Sequence, residues 1–325
     1  MVGAILMLQA ILLSALLAEA MLYLWLWSFL GERGVSNVAI AATLILLALG
    51  WRMSHALGSF FITSALRWRD GRMLPWGNSL TALANEFAAR AICFNWSQPF
   101  VQLALRPDPG GEKGGVPILL VHGYVCNRGL WVTVSRQLAE AGMGPIYATT
   151  LTPLFAGIDE LVVKLDAQIE AICAETGVAK LMIVAHSMGG LVARACIARA
   201  DVSRVAKLVT LGSPHHGSQL ARLGIGINAR EMRDGSDWLL NLAKMEAGNT
   251  ESRHARFPAT LSIYTLNDDL VYPPESSVLE WAENVPVSAV GHMGLVFSES
   301  VAKRVIQYLR SINAGLDKTP SVRLK

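Results

Sequence analysis

The chain has 325 residues, of which 52% are hydrophobic and only 16% charged, against about 25% charged in an average soluble protein, so a disordered chain is excluded. A net charge of +3 from dispersed basic residues excludes a nucleic-acid surface. Four cysteines (Cys93, Cys126, Cys173 and Cys196) lie far apart without metal-binding spacing and read as free buried thiols, with a disulfide between two of them the alternative; no metal or other cofactor is expected.

The apolar excess is local. Residues 1–66 contain four charged side chains, Glu19, Glu32, Arg33 and Arg52, and the remaining 259 positions are about 19% charged, close to the soluble norm. Residues 1–30 carry one charge and residues 34–51 none, with GERG between them, so 1–66 is predicted to be a transmembrane helical hairpin. Tyr23, Trp25, Trp27 and Trp51 fall near the helix ends, as interfacial rings do. Arg52, Arg67, Arg69 and Arg72 follow the second span while the turn offers only Arg33, which places the N-terminus and the rest of the chain on the cytoplasmic face. Glu19 is expected either to snorkel or to pair with a neighbouring helix, with a functional intramembrane acid as the alternative. A cleaved signal peptide over residues 1–20 is the rival reading; the absence of Lys or Arg before the apolar core, and its continuation through MLYLWLWSFL, count against it. Residues 53–66 either extend the second helix or lie along the interface.

Residues 67–115 are read as a connecting region ending in the loop RPDPGGEKGG. Beyond it, apolar runs alternate with amphipathic stretches: VPILLVHG, a helix over 129–141, GPIYATTL, a helix over 158–176, KLMIVA, a helix over 189–200, VAKLVTLG, ATLSIYTL, VPVSAV and a last helix near 296–312. That alternation predicts an α/β domain over 116–325 with a mostly parallel sheet flanked by helices. Residues 218–256 form an insertion in which Met232, Trp238, Leu239, Leu242 and Met245 define an apolar face, suited to a lid or to a helix packed on the core.

In KLMIVAHSMGGLVARACIARA a strand runs through A-H-S-M-G straight into a helix, the context of a nucleophile elbow with Ser187 at its tip. Ala185 stands where glycine is usual, and Gly189 and Gly190 keep the second small position. A serine nucleophile needs a base, an acid to orient it and two donors for the oxyanion. The loop AVGHMGL supplies His292 as base, and IYTLNDDLVYPP supplies Asp268 and Asp269, one facing the histidine and the other capping the loop. The loop VHGYVCN after the first strand makes Tyr124 N–H and Met188 N–H the candidate oxyanion donors, with His122 a structural hydrogen-bonder. His254, in a charged non-periodic stretch, reads as solvent-exposed, and Asp234 and Asp237 as solvated or helix-start charges.

Taken in order, VHGYVCN, AHSMGG, TLGSPHHGS, IYTLNDDLV and VGHMGL resemble the bacterial lipases and esterases of the α/β-hydrolase superfamily over residues 116–300. The resemblance implies Ser187 as nucleophile and His292 as base, favours Asp268 over Asp269, and marks His215 and His216 as parts of a structural loop. It implies a serine-dependent carboxylic ester hydrolase acting on lipid or other acyl esters; the predicted hairpin, read separately, places the protein at a bacterial inner membrane, so that the bilayer and the ester are the expected partners. Two departures stand out: the N-terminal hairpin, which secreted lipases lack, and the absence of a ligand cluster matching the calcium site of larger lipases. An acyltransferase using the same triad is the alternative, since the elbow does not distinguish water from another acceptor. A non-catalytic membrane scaffold is a further reading, and a transporter is excluded by two spans without an inverted repeat.

Overall fold

The computed structural model describes residues 2–105, 108, 115–199, 204–247 and 257–311. It opens with two long helices, α1 (Val2–Gly31) and α2 (Asn37–Arg69), joined by a short turn. Ser36 caps α2, its hydroxyl accepting from Ala39 N–H. Nothing in MSHALGSFFITSAL stops the helix: there is no proline, and Gly58 alone is tolerated in a helix interior. The second apolar run therefore continues unbroken to Arg69. At about 1.5 Å per residue the 33-residue α2 is ~50 Å long, well beyond a hydrocarbon layer of ~30 Å. Its C-terminal half buries Ala56, Phe60, Thr63 and Arg67, a stripe at helical spacing that faces the rest of the protein.

The segment between hairpin and sheet is more than a connection. It holds α3 (Trp76–Ile92), a π turn over Cys93–Ser97 and the short α4 (Val101–Ala104). Most of the predicted RPDPGGEKGG loop lies outside the described residues.

Six strands follow, β1 (Ile118–Val121), β2 (Ile146–Ala148), β3 (Leu181–His186), β4 (Val205–Leu211), β5 (Ala259–Thr265) and β6 (Glu283–Val287). They form one parallel sheet in the order β2-β1-β3-β4-β5-β6. The helices are α5 (Val132–Glu140), α6 (Ile158–Thr176), α7 (Met188–Arg199), α8 (Ile227–Glu231), α9 (Asp237–Glu246), α10 (Gly294–Phe297) and α11 (Glu299–Arg310). Side chains alternate across the sheet. Leu119, Val121 and Ile183 join α6 and α7 in one core, and Ile118, Leu120 and Val184 join α5 and α11 in the other. Ala89 and Cys93 belong to this second core, so the segment read as a connection supplies part of the hydrophobic interior. Strand β3 is buried along its whole length, as a central parallel strand covered on both faces must be.

In the insertion, Leu239 and Leu242 of α9 are buried with Met232 in the first core. The buried Arg194 guanidinium donates to Glu246 through Nε at 2.6 Å and Nη2 at 2.5 Å, fastening α9 to α7. This is the packed-helix form of the insertion; residues 248–256, including His254, lie outside the described residues.

Candidate active site

β1 and β3 are neighbours whose chain connections leave in opposite directions along the sheet, to β2 and to β4. Such a switch point opens a crevice at the carboxyl ends of the strands. The turn from β3 into α7 puts Ser187 there with φ +54°, in the left-handed region that a serine enters only when its surroundings hold it. Its N–H donates to Leu211 O at 2.9 Å. The other two positive-φ residues that are not glycine, Val125 and Ala289, lie on the loops after β1 and β6, so among the described residues this strain gathers around one place. The tight passage also explains Gly189: a Cβ there would lie 2.5 Å from both His122 O and Val121 O, backbone atoms that cannot step aside. Gly123 is similarly constrained, since its Cβ would stand 2.7 Å from that of Ser187.

His292 lies on the loop between β6 and α10, fully buried, with Nδ1 2.9 Å from Asp268 Oδ2. Asp268 Oδ1 accepts from Leu270 N–H at 2.9 Å and Val271 N–H at 2.7 Å, which fixes the carboxylate plane. Burial by itself would lower the His292 pKa, but the adjoining Asp268 carboxylate outweighs it, aided by Glu86 and Asp269, and the net shift is upward. The ring of His186 lies 4.7 Å from that of His292. Burial holds its pKa well below the ordinary histidine value, so it is neutral and its Nε2–H donates to His292 O at 3.2 Å.

His122 accepts from Leu151 N–H through Nε2 at 2.8 Å, which leaves Nδ1–H to donate to Gly123 O at 2.8 Å. Its pKa is lowered to about 4 by burial. The ring therefore stays neutral and braces the loop that carries Tyr124. The N–H groups of Tyr124 and Met188 find no protein acceptor among the described residues. The Tyr124 hydroxyl closes a reciprocal pair with Ile225, donating to its carbonyl at 2.7 Å and accepting from its N–H at 2.9 Å. His215 is buried beside Thr210 Oγ1, and His216 Nε2 meets Val278 O; neither lines the cavity that Ser187 and His292 share. Asp234 pairs with Arg222, and Asp237 sits in the first turn of α9. The four cysteines are free thiols, three of them buried.

What the sequence did not disclose is a buried ionic cluster behind the histidine loop. Asp269 Oδ2 accepts from Arg90 Nη2 at 2.6 Å and from Ser59 Oγ at 2.6 Å, while its Oδ1 accepts from His292 N–H at 3.3 Å. Arg90 Nε donates to Glu86 Oε1 at 2.7 Å, and Glu86 Oε2 accepts from Gly294 N–H at 3.0 Å. Arg67 donates to the carbonyls of Leu266 and Asp268. Burial, with Asp269 nearby, raises the Glu86 pKa to about 7. Helices α2 and α3 thus hold the loops that carry Asp268 and His292. A local signal did exist: Ala82, Glu86, Ala89 and Arg90 share one face of α3, so two charges interrupt a stripe of small buried residues.

Ser187, His186 and His292 line a cavity of about 1140 Å³ whose walls include α1 and α2.

Residues 117–241 match the family model described as palmitoyl protein thioesterase. A triacylglycerol lipase of Pseudarthrobacter phenanthrenivorans is 30% identical over 113 residues, 32% of this chain and 35% of the relative. Triacylglycerol lipase 2 of Saccharomyces cerevisiae is 34% identical over 97 residues, 28% of this chain and 29% of that protein. The chain spans about a third of the length of the curated relatives it matches. Among solved structures, the mature Bacillus licheniformis lipase BlEst2 superposes with a TM-score of 0.52 at 19% identity, covering 64% of this chain and 95% of that one. Aspergillus fumigatus lipase B gives 0.54 at 14% identity, covering 64% and 55%. The parallel sheet, the serine turn and these superpositions give the chain the fold of those lipases, and its sequence is similar in part to lipases and, over residues 117–241, to the palmitoyl protein thioesterase family.

Proposed function

We propose that the protein is a membrane-anchored serine hydrolase that cleaves carboxylic acyl esters. The observation that carries this reading is the 2.9 Å contact between His292 Nδ1 and Asp268 Oδ2, beside a serine on a strained strand-to-helix turn. In the proposed reaction Asp268 accepts the Nδ1–H, so the neutral ring keeps Nε2 free to take the Ser187 proton as Oγ attacks the acyl carbonyl. The tetrahedral oxyanion is received by the N–H groups of Tyr124 and Met188, the latter at the N-terminus of α7 where the helix dipole also favours negative charge. The imidazolium returns the proton to the leaving alcohol, and water activated by the same nitrogen releases the acid.

Two features support the anchor. Helices α1 and α2 are long and apolar enough to cross a membrane, and they leave large side chains such as Leu24 and Leu46 about 70% exposed. Retention of α1 is supported by its partners: removing residues 1–20 would take Gln9 from Pro99 O and Glu19 from Arg52. The ends of the hairpin that meet the hydrolase fold also carry Arg67, Arg69 and Arg72, which favours the cytoplasmic side. A thioester substrate is a second reading, favoured by the thioesterase family match over residues 117–241; the acyl-enzyme is the same and only the leaving atom changes.

The test is a fluorophosphonate probe on purified protein in detergent. One adduct per chain on Ser187 is expected, with Ser187→Ala abolishing both the adduct and aryl-ester turnover. Labelling that survives Ser187→Ala, or none on folded protein, would overturn the reading. The raised His292 pKa sets a second expectation. A base must be neutral, and a proton held more tightly than on a free histidine is lost only at higher pH, so kcat/KM should fall on an acidic limb centred above pH 6.5. A limb centred at or below that value would contradict the buried His292–Asp268 arrangement as the working base.

A further inference from the structure

We propose that the N-terminal hairpin forms the acyl-chain site, so that the substrate is a long-chain, bilayer-resident ester whose chain lies between α1 and α2 while its carbonyl rests at Ser187. The inference rests on the serine-hydrolase reading and extends it to the substrate.

One continuous cavity joins the proposed nucleophile to the hairpin. On α1 its lining falls on a single helical face, marked by Leu12, Leu16, Glu19, Tyr23 and Leu26. From Leu12 to Leu26 that stripe runs ~21 Å at a rise of about 1.5 Å per residue. Helix α2 contributes the facing stripe, Leu47, Trp51, His55, Ser59 and Ile62, again at steps of three and four. At about 1140 Å³ the space exceeds the ~300–1,000 Å³ usual for drug-sized ligands, more than a short soluble ester can fill.

The charged residues in this wall do not make it a polar site. Arg52 donates to both Glu19 oxygens, at 2.6 Å and 3.0 Å, and to Asn95 Oδ1 and Ala48 O, and Tyr23 donates to Glu19 at 2.6 Å. The pair is neutral overall and spends its hydrogen bonds within the protein, so it latches α1 to α2 and to the π turn. What remains facing the space is chiefly hydrocarbon, the environment an acyl chain seeks. The chain would pass from lipid into the cavity between the helices without crossing water. Tyr124 and Leu220, in the opposite wall, belong to the hydrolase fold, so neither part of the molecule forms this site alone.

The experiment narrows the α1 stripe with Ala15→Trp and Ala18→Trp, two small residues that line the cavity, and compares p-nitrophenyl hexadecanoate with p-nitrophenyl butanoate on the full chain in detergent. Leu17→Trp, on an exposed position outside the lining, controls for a tryptophan added to α1. Fluorophosphonate stoichiometry confirms that each variant is folded. Wild type and Leu17→Trp are expected to prefer the hexadecanoate, and each cavity variant to lower the long-to-short ratio of kcat/KM about tenfold or more. Ser187-dependent turnover of both esters with an unchanged ratio in the cavity variants, or a wild-type preference for the butanoate, overturns the hairpin site while leaving the hydrolase reading intact. No Ser187-dependent turnover of either ester overturns the hydrolase reading and this inference with it.

Discussion

Replacing Asp268 with asparagine is expected to lower turnover by about 10⁴-fold, the scale seen when a triad loses the acceptor that sets its histidine tautomer. The geometry says why an isosteric change would be so costly. The N–H groups of Leu270 and Val271 both point at Oδ1, so the amide oxygen of an asparagine must take that position. Its NH2 group then faces His292 Nδ1, where Asp268 Oδ2 now stands at 2.9 Å. Two donors cannot face each other, so the ring would move its proton to Nε2 and lose the lone pair that accepts from Ser187. Asp269→Asn makes a useful contrast. That carboxylate meets Arg90, Ser59 and the His292 backbone rather than the ring, so its loss should weaken the fold and cost turnover far less. Steady-state kinetics on an aryl ester, with unfolding followed in parallel, separates the two roles. A larger loss of turnover in Asp269→Asn than in Asp268→Asn would reverse the assignment of orienting acid.

That a carboxylate at 268 or 269 would face His292 was legible in the sequence because the relevant pattern is local: a strand, a polar turn and a second strand leading to a histidine. The same holds for the serine turn, where Ala185 and Gly189 announce a strand and helix passing closely, and for α6, whose apolar spacing marks the whole of Ile158–Thr176. The hairpin was visible as composition. What composition could not carry was the hairpin's part in the site. Ser59 and Asp269 are 210 positions apart, and Glu19 and Arg52 are 33 apart, on separate helices with no shared period. Each pair is specified by tertiary packing, and each member read singly is an ordinary polar residue. Arg52 shows the consequence: counted as a basic flank after the second span, it sits within α2 with its charge committed to Glu19. The segment over 67–115 was misleading for a related reason. Its loop chemistry is concentrated at its end, whereas α3 is built from alanines and two charges that declare their importance only when Glu86 is seen buried, with the half-buried Arg90 joining it to Asp269 behind the His292 loop.

Arg90→Gln should accordingly be among the most damaging substitutions away from the proposed triad, lowering stability by about 3–5 kcal/mol, the usual consequence of removing one partner from a buried ionic pair. The guanidinium works in three directions at once: Nε to Glu86 at 2.7 Å, Nη2 to Asp269 at 2.6 Å and Nη1 to His55 O at 2.8 Å. Glutamine neither reaches these positions nor supplies the charge, so two fully buried carboxylates would be left facing each other without a cation. Lysine keeps the charge but not the planar fork, so Arg90→Lys should rescue only part of the loss. The deficit should also depend on pH, with a sign the cluster fixes. The Glu86 pKa is already raised to about 7 by burial and by Asp269, and removing the neighbouring cation raises it further. In the unfolded chain this carboxyl ionises near its ordinary value, so above that value the folded variant must either hold a proton the unfolded chain has released or bury an unpaired charge. Stability should therefore be nearest to wild type in acid and fall progressively as pH rises through neutrality. Adding Glu86→Gln to Arg90→Gln removes that titration and should restore stability mainly at the alkaline end. Thermal unfolding in detergent across pH, for wild type and the three variants, reads each of these differences. A pH-independent deficit, or none, would mean that α3 supports the histidine loop through packing alone and that the Arg90 charge is dispensable. The expected pattern would instead make the N-terminal hairpin and α3 part of the frame of the proposed triad, because the charge that keeps Asp269 in place against the His292 backbone comes from α3, braced by a carbonyl of α2.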